Sequence, residues 1–144
     1  MDQPFEMQQV YDAQIPTVWR ALTDVAHIRA WYFPQLQQFE PVVDFKFLFT
    51  DDGSPYQKEW RVTKIIPGRL LAHSWTYKNY PGYSEVIFEL FEESSQTLLK
   101  ATHTGIESFP DDPHFARDRF ENGWNQILGT NLKNHLHNLT SGSY

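Results

Sequence analysis

The stretch ENGWNQILGTNLKNHL, residues 121–136, decides how the chain folds. Wound as an α-helix at 3.6 residues per turn, it stacks positions 124, 128, 131 and 135 close to one line, with Ile127 and Leu132 flanking it. Trp124 and Leu128 make that line apolar, yet Asn131 and His135 fall on it as well. A buried polar group without a partner costs roughly 1–3 kcal/mol, so each of the two must bond to protein, water or a ligand. Upstream, Asp112 and Pro113 form a helix-start signal, cap then first-turn proline. A helix from there to Leu139 would have roughly 25 residues and a length near 40 Å, enough to cross a whole sheet.

The segments before it read as strands and two short helices, and FEMQQVYDAQI, the first, alternates poorly. FEMQQVYDAQI (5–15) has aromatic and β-branched content and stops at Pro16, which suits a helix's first turn. TVWRALTDVAHIRAWYF (17–33) carries Val18, Trp19 and Leu22, then Ile28, Trp31 and Tyr32. That spacing predicts two short helices broken near Asp24, which can cap the second. VVDFKFLFT (42–50) places Val43, Phe45, Phe47 and Phe49 on one side of a strand, opposite Asp44 and Lys46. After the turn residues DDGSP come YQKEWRVTKII (56–66) and RLLAHSWTY (69–77), the latter with Leu71, His73, Trp75 and Tyr77 on one face. EVIFELFEE (85–93) and TLLKATHTG (97–105) complete the set, and in the last Leu99, Ala101 and His103 oppose Lys100 and Thr102.

One strand, two short helices, a meander of antiparallel strands and one long terminal helix specify an α+β fold, a curved sheet wrapped around that helix. A curved sheet cannot meet a straight helix along its full length, so a cavity between them is expected. The expected wall is Phe45, Phe47, Phe49, His73, Trp75, His103, Trp124, Leu128, Asn131 and His135. The whole chain, 1–144, reads as a single domain without repeat or linker.

Composition narrows the function. Aromatic residues are 16% of the 144, sufficient for a large core and a pocket, and the formal charge of −6 with no basic block argues against nucleic acid as a partner. The absence of cysteine excludes disulfides and thiolate metal sites and suits a reducing compartment. The start MDQPFEMQQV has no apolar core of signal-peptide type and no run reaches membrane-spanning length, so the expectation is a cytoplasmic protein with no membrane insertion.

The four motifs IPTVWRALTD followed by Trp31, VTKIIPGRLLAHSW, TLLKATHTGI and the NGW that opens the apolar part of the last helix carry a resemblance. In that order they resemble the START-like (SRPBCC) superfamily with its helix-grip fold, and more closely the branch homologous to the activator of the heat-shock-protein-90 ATPase. The resemblance spans nearly the whole chain and implies a deep cavity between sheet and terminal helix. It departs at PVVDFKF, where many members carry paired glycines, and at Asn122, where an acidic residue often precedes Gly-Trp.

Six histidines raise the question of a metal. His135 and His137 face different ways on a helix and no HExxH or HxxxH pair exists, so no metal or other cofactor is expected. For His73 and His103 a core role with internal hydrogen bonds outweighs a ligand contact. For His135 the helix dipole supplies a structural reason. Asn131 has none and is the foremost candidate for a polar ligand contact. Gly123 and Gly129 each cost roughly 1 kcal/mol relative to alanine inside a helix, explained by close strand approach or by room for a ligand. The expected function is binding of a small, mostly hydrophobic molecule in the sheet–helix cavity. The alternatives are a regulator of a chaperone ATPase, as the resemblance implies, and a small-molecule enzyme of cyclase or hydrolase type. The sequence contains no G-x-S-x-G elbow, phosphate loop or dinucleotide fingerprint, so a binding role is favoured over an enzyme.

Overall fold

In the computed structural model, which describes residues 4–51 and 53–141, the first strand begins where the sequence places it but ends short of Ile15, β1 at Phe5–Tyr11. Pro16 then sits in the first turn of α1 (Ile15–Thr23), and the Asp24 carboxylate accepts from Ala26 N at 2.9 Å to cap α2 (Val25–Trp31). Two short strands, β2 (Leu36–Gln38) and β3 (Leu48–Phe49), pair with each other. The main sheet follows: β4 (Val62–Ile66), β5 (Leu70–Trp75), β6 (Ser84–Glu93) and β7 (Gln96–Thr104), with β1 returning beside β7. Its order is β1-β7-β6-β5-β4 and every pair is antiparallel.

The register explains which side chains share the inner face. His103 lies opposite Val86, and Val86 opposite His73, so the two histidines stand in one cross-strand row with a valine between them. The next inward row holds Ala101, Phe88 and Leu71. All six are buried, and the alternation in β7 falls as the sequence predicts. Two strand expectations need correction. Of residues 42–50 only Leu48 and Phe49 enter a strand, because Asp44 adopts a left-handed φ of 74° that breaks the extended run. Val43 is consequently exposed, while Phe45 and Phe47 still turn inward. Residues 56–61 also fall outside β4 and join the sheet only through irregular bonds, such as Glu59 N to Thr76 O at 3.0 Å.

The terminal helix crosses the inner face, as the sequence requires, but it starts and winds differently. Asp112 caps a single 3-10 turn (Pro113–Phe115) rather than the helix, Ala116 is extended, and α3 begins at Arg117 (Arg117–Gln126). A π-helical segment, Ile127–Leu132, joins it to α4 (Lys133–Ser141). In the wider winding each hydrogen bond spans five residues instead of four. The buried positions therefore run Trp124, Leu128, Leu132 and Leu136, a spacing of four throughout, instead of 124, 128, 131 and 135. Tyr11 donates from its hydroxyl to the Leu128 carbonyl at 2.7 Å, tying the π segment to β1.

Candidate functional site

The interior between sheet and helix is filled. Tyr32 stacks on Trp31 at 4.7 Å between ring centroids, Trp60 stacks on His73 at 4.7 Å, and Trp124 meets Phe88 edge-on at 5.8 Å. The two inner histidines belong to this core. His73 donates from Nδ1 to the Ser74 carbonyl at 2.8 Å, which leaves Nε2 to accept from the Tyr32 hydroxyl at 3.0 Å. His103 has the opposite tautomer. Its Nδ1 accepts from Trp124 Nε1 at 3.0 Å, so Nε2 carries the proton and donates to Ser84 Oγ at 2.9 Å, and that hydroxyl donates on to Trp75 O at 2.7 Å. Burial pushes His73 down to about 4, and burial with the nearby His73 pushes His103 down to about 3, so both are neutral at pH 7.

Open space lies at one end of the helix. A groove of about 1010 Å³ runs between α3, the end of β5 and the loop before β4, and its floor and walls include Phe33, Trp75, Tyr77, Phe120 and Trp124. Local hydrogen bonds place the loop: Tyr56 N donates to Ser54 Oγ at 3.1 Å and Lys78 N to Gln57 O at 2.8 Å. Across the groove the Asp112-capped turn delivers His114 onto Tyr56, the two rings parallel within 6° and 3.6 Å apart. Partial burial and the Arg119 guanidinium hold His114 below its ordinary range. Lys58 Nζ rests 4.7 Å from the centre of the Phe33 ring, a cation–π contact at the rim. Tyr77, itself buried, accepts from Trp75 Nε1 at 2.9 Å. Among the described residues no acceptor is bonded to its own O–H. Burial raises the Tyr77 hydroxyl pKa, and the Trp75 hydrogen bond and Arg119 oppose that rise.

Of the ten residues expected to form the wall, the groove takes in Trp75 and Trp124. His73, His103 and Leu128 are core, and Phe45 packs on Phe39. Phe47 and Phe49 line a smaller depression of about 540 Å³ between β3 and the segment that precedes β4. The π winding moves Asn131 off the apolar line, where its Oδ1 accepts from Gln126 Nε2 at 3.0 Å, five residues back. His135 turns to α2 instead, its Nε2 2.8 Å from His27 Nδ1. Sequence reasoning missed Lys58, Tyr77 and Arg119 as groove residues. The available signal was Gly123, set between Phe120 and Trp124 on one side of α3: a Cβ there would meet nothing within 4 Å. Close packing therefore does not explain this glycine, whereas at Gly129 a Cβ would lie 3.9 Å from Met7 Cε. Among the described residues no group of three or more His, Cys, Asp or Glu side chains could hold a metal ion, and no helix is long and apolar enough to cross a membrane.

Comparison with solved structures gives the same architecture. Protein CV1439 from Chromobacterium violaceum is similar with a TM-score of 0.74 at 19% identity, over 92% of this chain and 96% of that one. CalU16 from Micromonospora echinospora is similar with a TM-score of 0.71 at 24% identity, over 94% and 76%. PFC0360w, an HSP90 activator from Plasmodium falciparum, is similar with a TM-score of 0.68 at 22% identity, over 94% and 92%. A search of curated protein sequences found no match. The family described as Activator of Hsp90 ATPase homolog 1-like protein matches residues 12–137, and with the helix-grip architecture in place the chain belongs to that family.

Proposed function

We propose that the protein binds a small, mostly hydrophobic molecule in the groove between α3, the end of β5 and the loop preceding β4. One observation carries this reading: a groove of about 1010 Å³ keeps a glycine, Gly123, inside its helix with no neighbour to account for it. Helical glycine costs about 1 kcal/mol relative to alanine, and space for a ligand accounts for that cost. The volume suits a drug-sized molecule, and Trp75, Phe120 and Trp124 supply flat apolar contacts. Of the residues singled out from sequence, Trp75 and Trp124 are the ones this reading retains.

Thermal-shift screening against lipids, aromatic polyketides and sterols tests the reading, because a ligand that binds only the folded state raises Tm with concentration. At least one class should raise it, and Gly123→Leu, which fills the groove, should abolish that rise. A rise that survives Gly123→Leu would place binding elsewhere, and no rise in any class would remove the reading.

A second reading, contact with a chaperone, is favoured by the family itself and by the similarity to an HSP90 activator. The exposed Val42, Val43 and Leu48 offer an apolar contact surface for it. Val42→Ser with Leu48→Ser should weaken co-purification with an Hsp90-type chaperone, and unchanged retention would rule that surface out.

A further inference from the structure

We infer that His27 on α2 and His135 on α4 form a proton-operated latch, in which one hydrogen bond between two imidazoles holds the far half of the terminal helix until the pair takes up a second extra proton. The device stands apart from the groove and does not rest on the small-molecule reading. His27 Nδ1 and His135 Nε2 lie 2.8 Å apart, with the ring centroids at 5.0 Å and the planes at 81°. Both side chains are half-buried, and among the described residues this is the only hydrogen bond that either imidazole makes. The contrast with the core is direct. His73 and His103 each have both nitrogens bonded inside the protein, whereas each member of this pair keeps one ring nitrogen outside any such bond.

Counting protons shows why the bond works as a latch. In the neutral pair one facing nitrogen donates its N–H and the other accepts with its lone pair. A first added proton goes to the outer nitrogen of the donor ring, and the bond becomes charge-assisted and stronger. A second has only the accepting nitrogen left, so two N–H groups of two cations then face each other and the rings must part. Burial and the charge of His27 accordingly hold His135 below its ordinary range. The neighbouring charges do not relieve the repulsion. α1 packs on α4 and α2 on the π segment, and the other titratable or charged groups on these elements are Arg20, Arg29, Lys133 and His137, none of them an anion. Asp24, at the junction of α1 and α2, is engaged in capping α2. The groove-lining half of the helix is fastened separately, by Trp124 on His103, so release is confined to α4.

NMR titration of the imidazole Hε1 signals of His27 and His135, combined with amide exchange in α4, tests the latch. In the wild-type protein the two signals should move together through two steps, as coupled sites do. The second step should lie about one pH unit below the single step that His135 shows in His27→Ala, a tenfold weaker uptake of that proton. Across the second step the protection of the α4 amides should fall about tenfold relative to those of β7. In His27→Ala the same ratio should sit at the lower value at every pH. Taking β7 as the reference separates local release from the general loss of stability that His73 and His103 cause on protonation. Wild-type protection of β7 at pH 7 shows that the variant is folded, and His135→Ala read at His27 gives the reciprocal measurement. Independent single-step titrations, unchanged when the partner is removed, would overturn the shared proton. Coupled titration with a level α4-to-β7 ratio would overturn the latch.

Discussion

Trp124 on the terminal helix donates its indole N–H to His103 Nδ1 on β7 at 3.0 Å, and this bond sets the direction of every proton behind it. The imidazole can then only donate from Nε2 to Ser84, and Ser84 only to the Trp75 carbonyl. A helix that lines a groove with one face of Trp124 is thus locked to the sheet by the same side chain.

Removing the indole N–H while keeping an aromatic ring isolates that lock. Trp124→Phe leaves a buried nitrogen acceptor unpaired, at a cost of about 1–3 kcal/mol, in addition to lost packing. Urea unfolding should show the loss, and the double variant Trp124→Phe with His103→Leu should lose less than the two single variants added together, because the orphaned acceptor is gone. Strict additivity would mean that the hydrogen bond contributes nothing.

The buried histidines also make stability depend on pH in a defined window. Both fold in the neutral form, with folded values near 4 for His73 and near 3 for His103 against about 6.5 when unfolded. Between these values the unfolded chain binds more protons, so stability is full above about pH 6.5 and falls as the pH drops toward 4. The slope approaches about 1.4 kcal/mol per pH unit for each histidine. The urea midpoint should therefore be clearly lower at pH 5.0 than at pH 7.5. A midpoint that does not move would contradict the neutral, buried assignment.

Gly123 should show a conflict between stability and binding. Gly123→Ala places a methyl group where nothing lies within 4 Å, so the helix gains about 1 kcal/mol and Tm rises. The same methyl narrows the groove and should weaken binding of a groove ligand. Calorimetry of unfolding paired with ligand titration checks both signs, and a gain in both would break the link between the glycine and the site.

Much of this was legible in the sequence. Pro16, the Asp24 cap, the β7 alternation of Leu99, Ala101 and His103, and the long terminal helix depend on local chemistry, and the structure agrees with each. The preference for core roles at His73 and His103 also holds. Asn131 was misplaced because the assumption of 3.6 residues per turn fails inside a π segment, and nothing in GTN announces a five-residue hydrogen bond. The strand expected at 42–50 failed for a similar reason: a single left-handed Asp44 outweighs good alternation. The groove was least legible because Lys58, Tyr77 and Arg119 are distant in sequence and polar for no local reason. Only the tertiary fold brings them to one rim.

The π segment has a consequence for how the chain tolerates change in length. Read as a ledger of positions, Ile127–Leu132 holds one residue more than an α-helix needs to carry the buried face from Leu128 to Leu132. Deleting a residue from a helix ordinarily turns everything beyond it by about 100°. Here, removing Thr130, which is exposed, should let the segment relax to α-winding and bring Leu132 and Leu136 onto the line that 131 and 135 would otherwise occupy. The shortened chain should unfold cooperatively in urea with its tryptophan emission still that of a buried core, whereas deletion of Asn125 in α3 should unfold it. Equal damage from the two deletions would show that the wide turn is held by its surroundings and has no slack to give. The helix thus carries its extra residue between its groove-lining half and the half that docks on α2, at the one place where a single-residue deletion should leave the two halves in register.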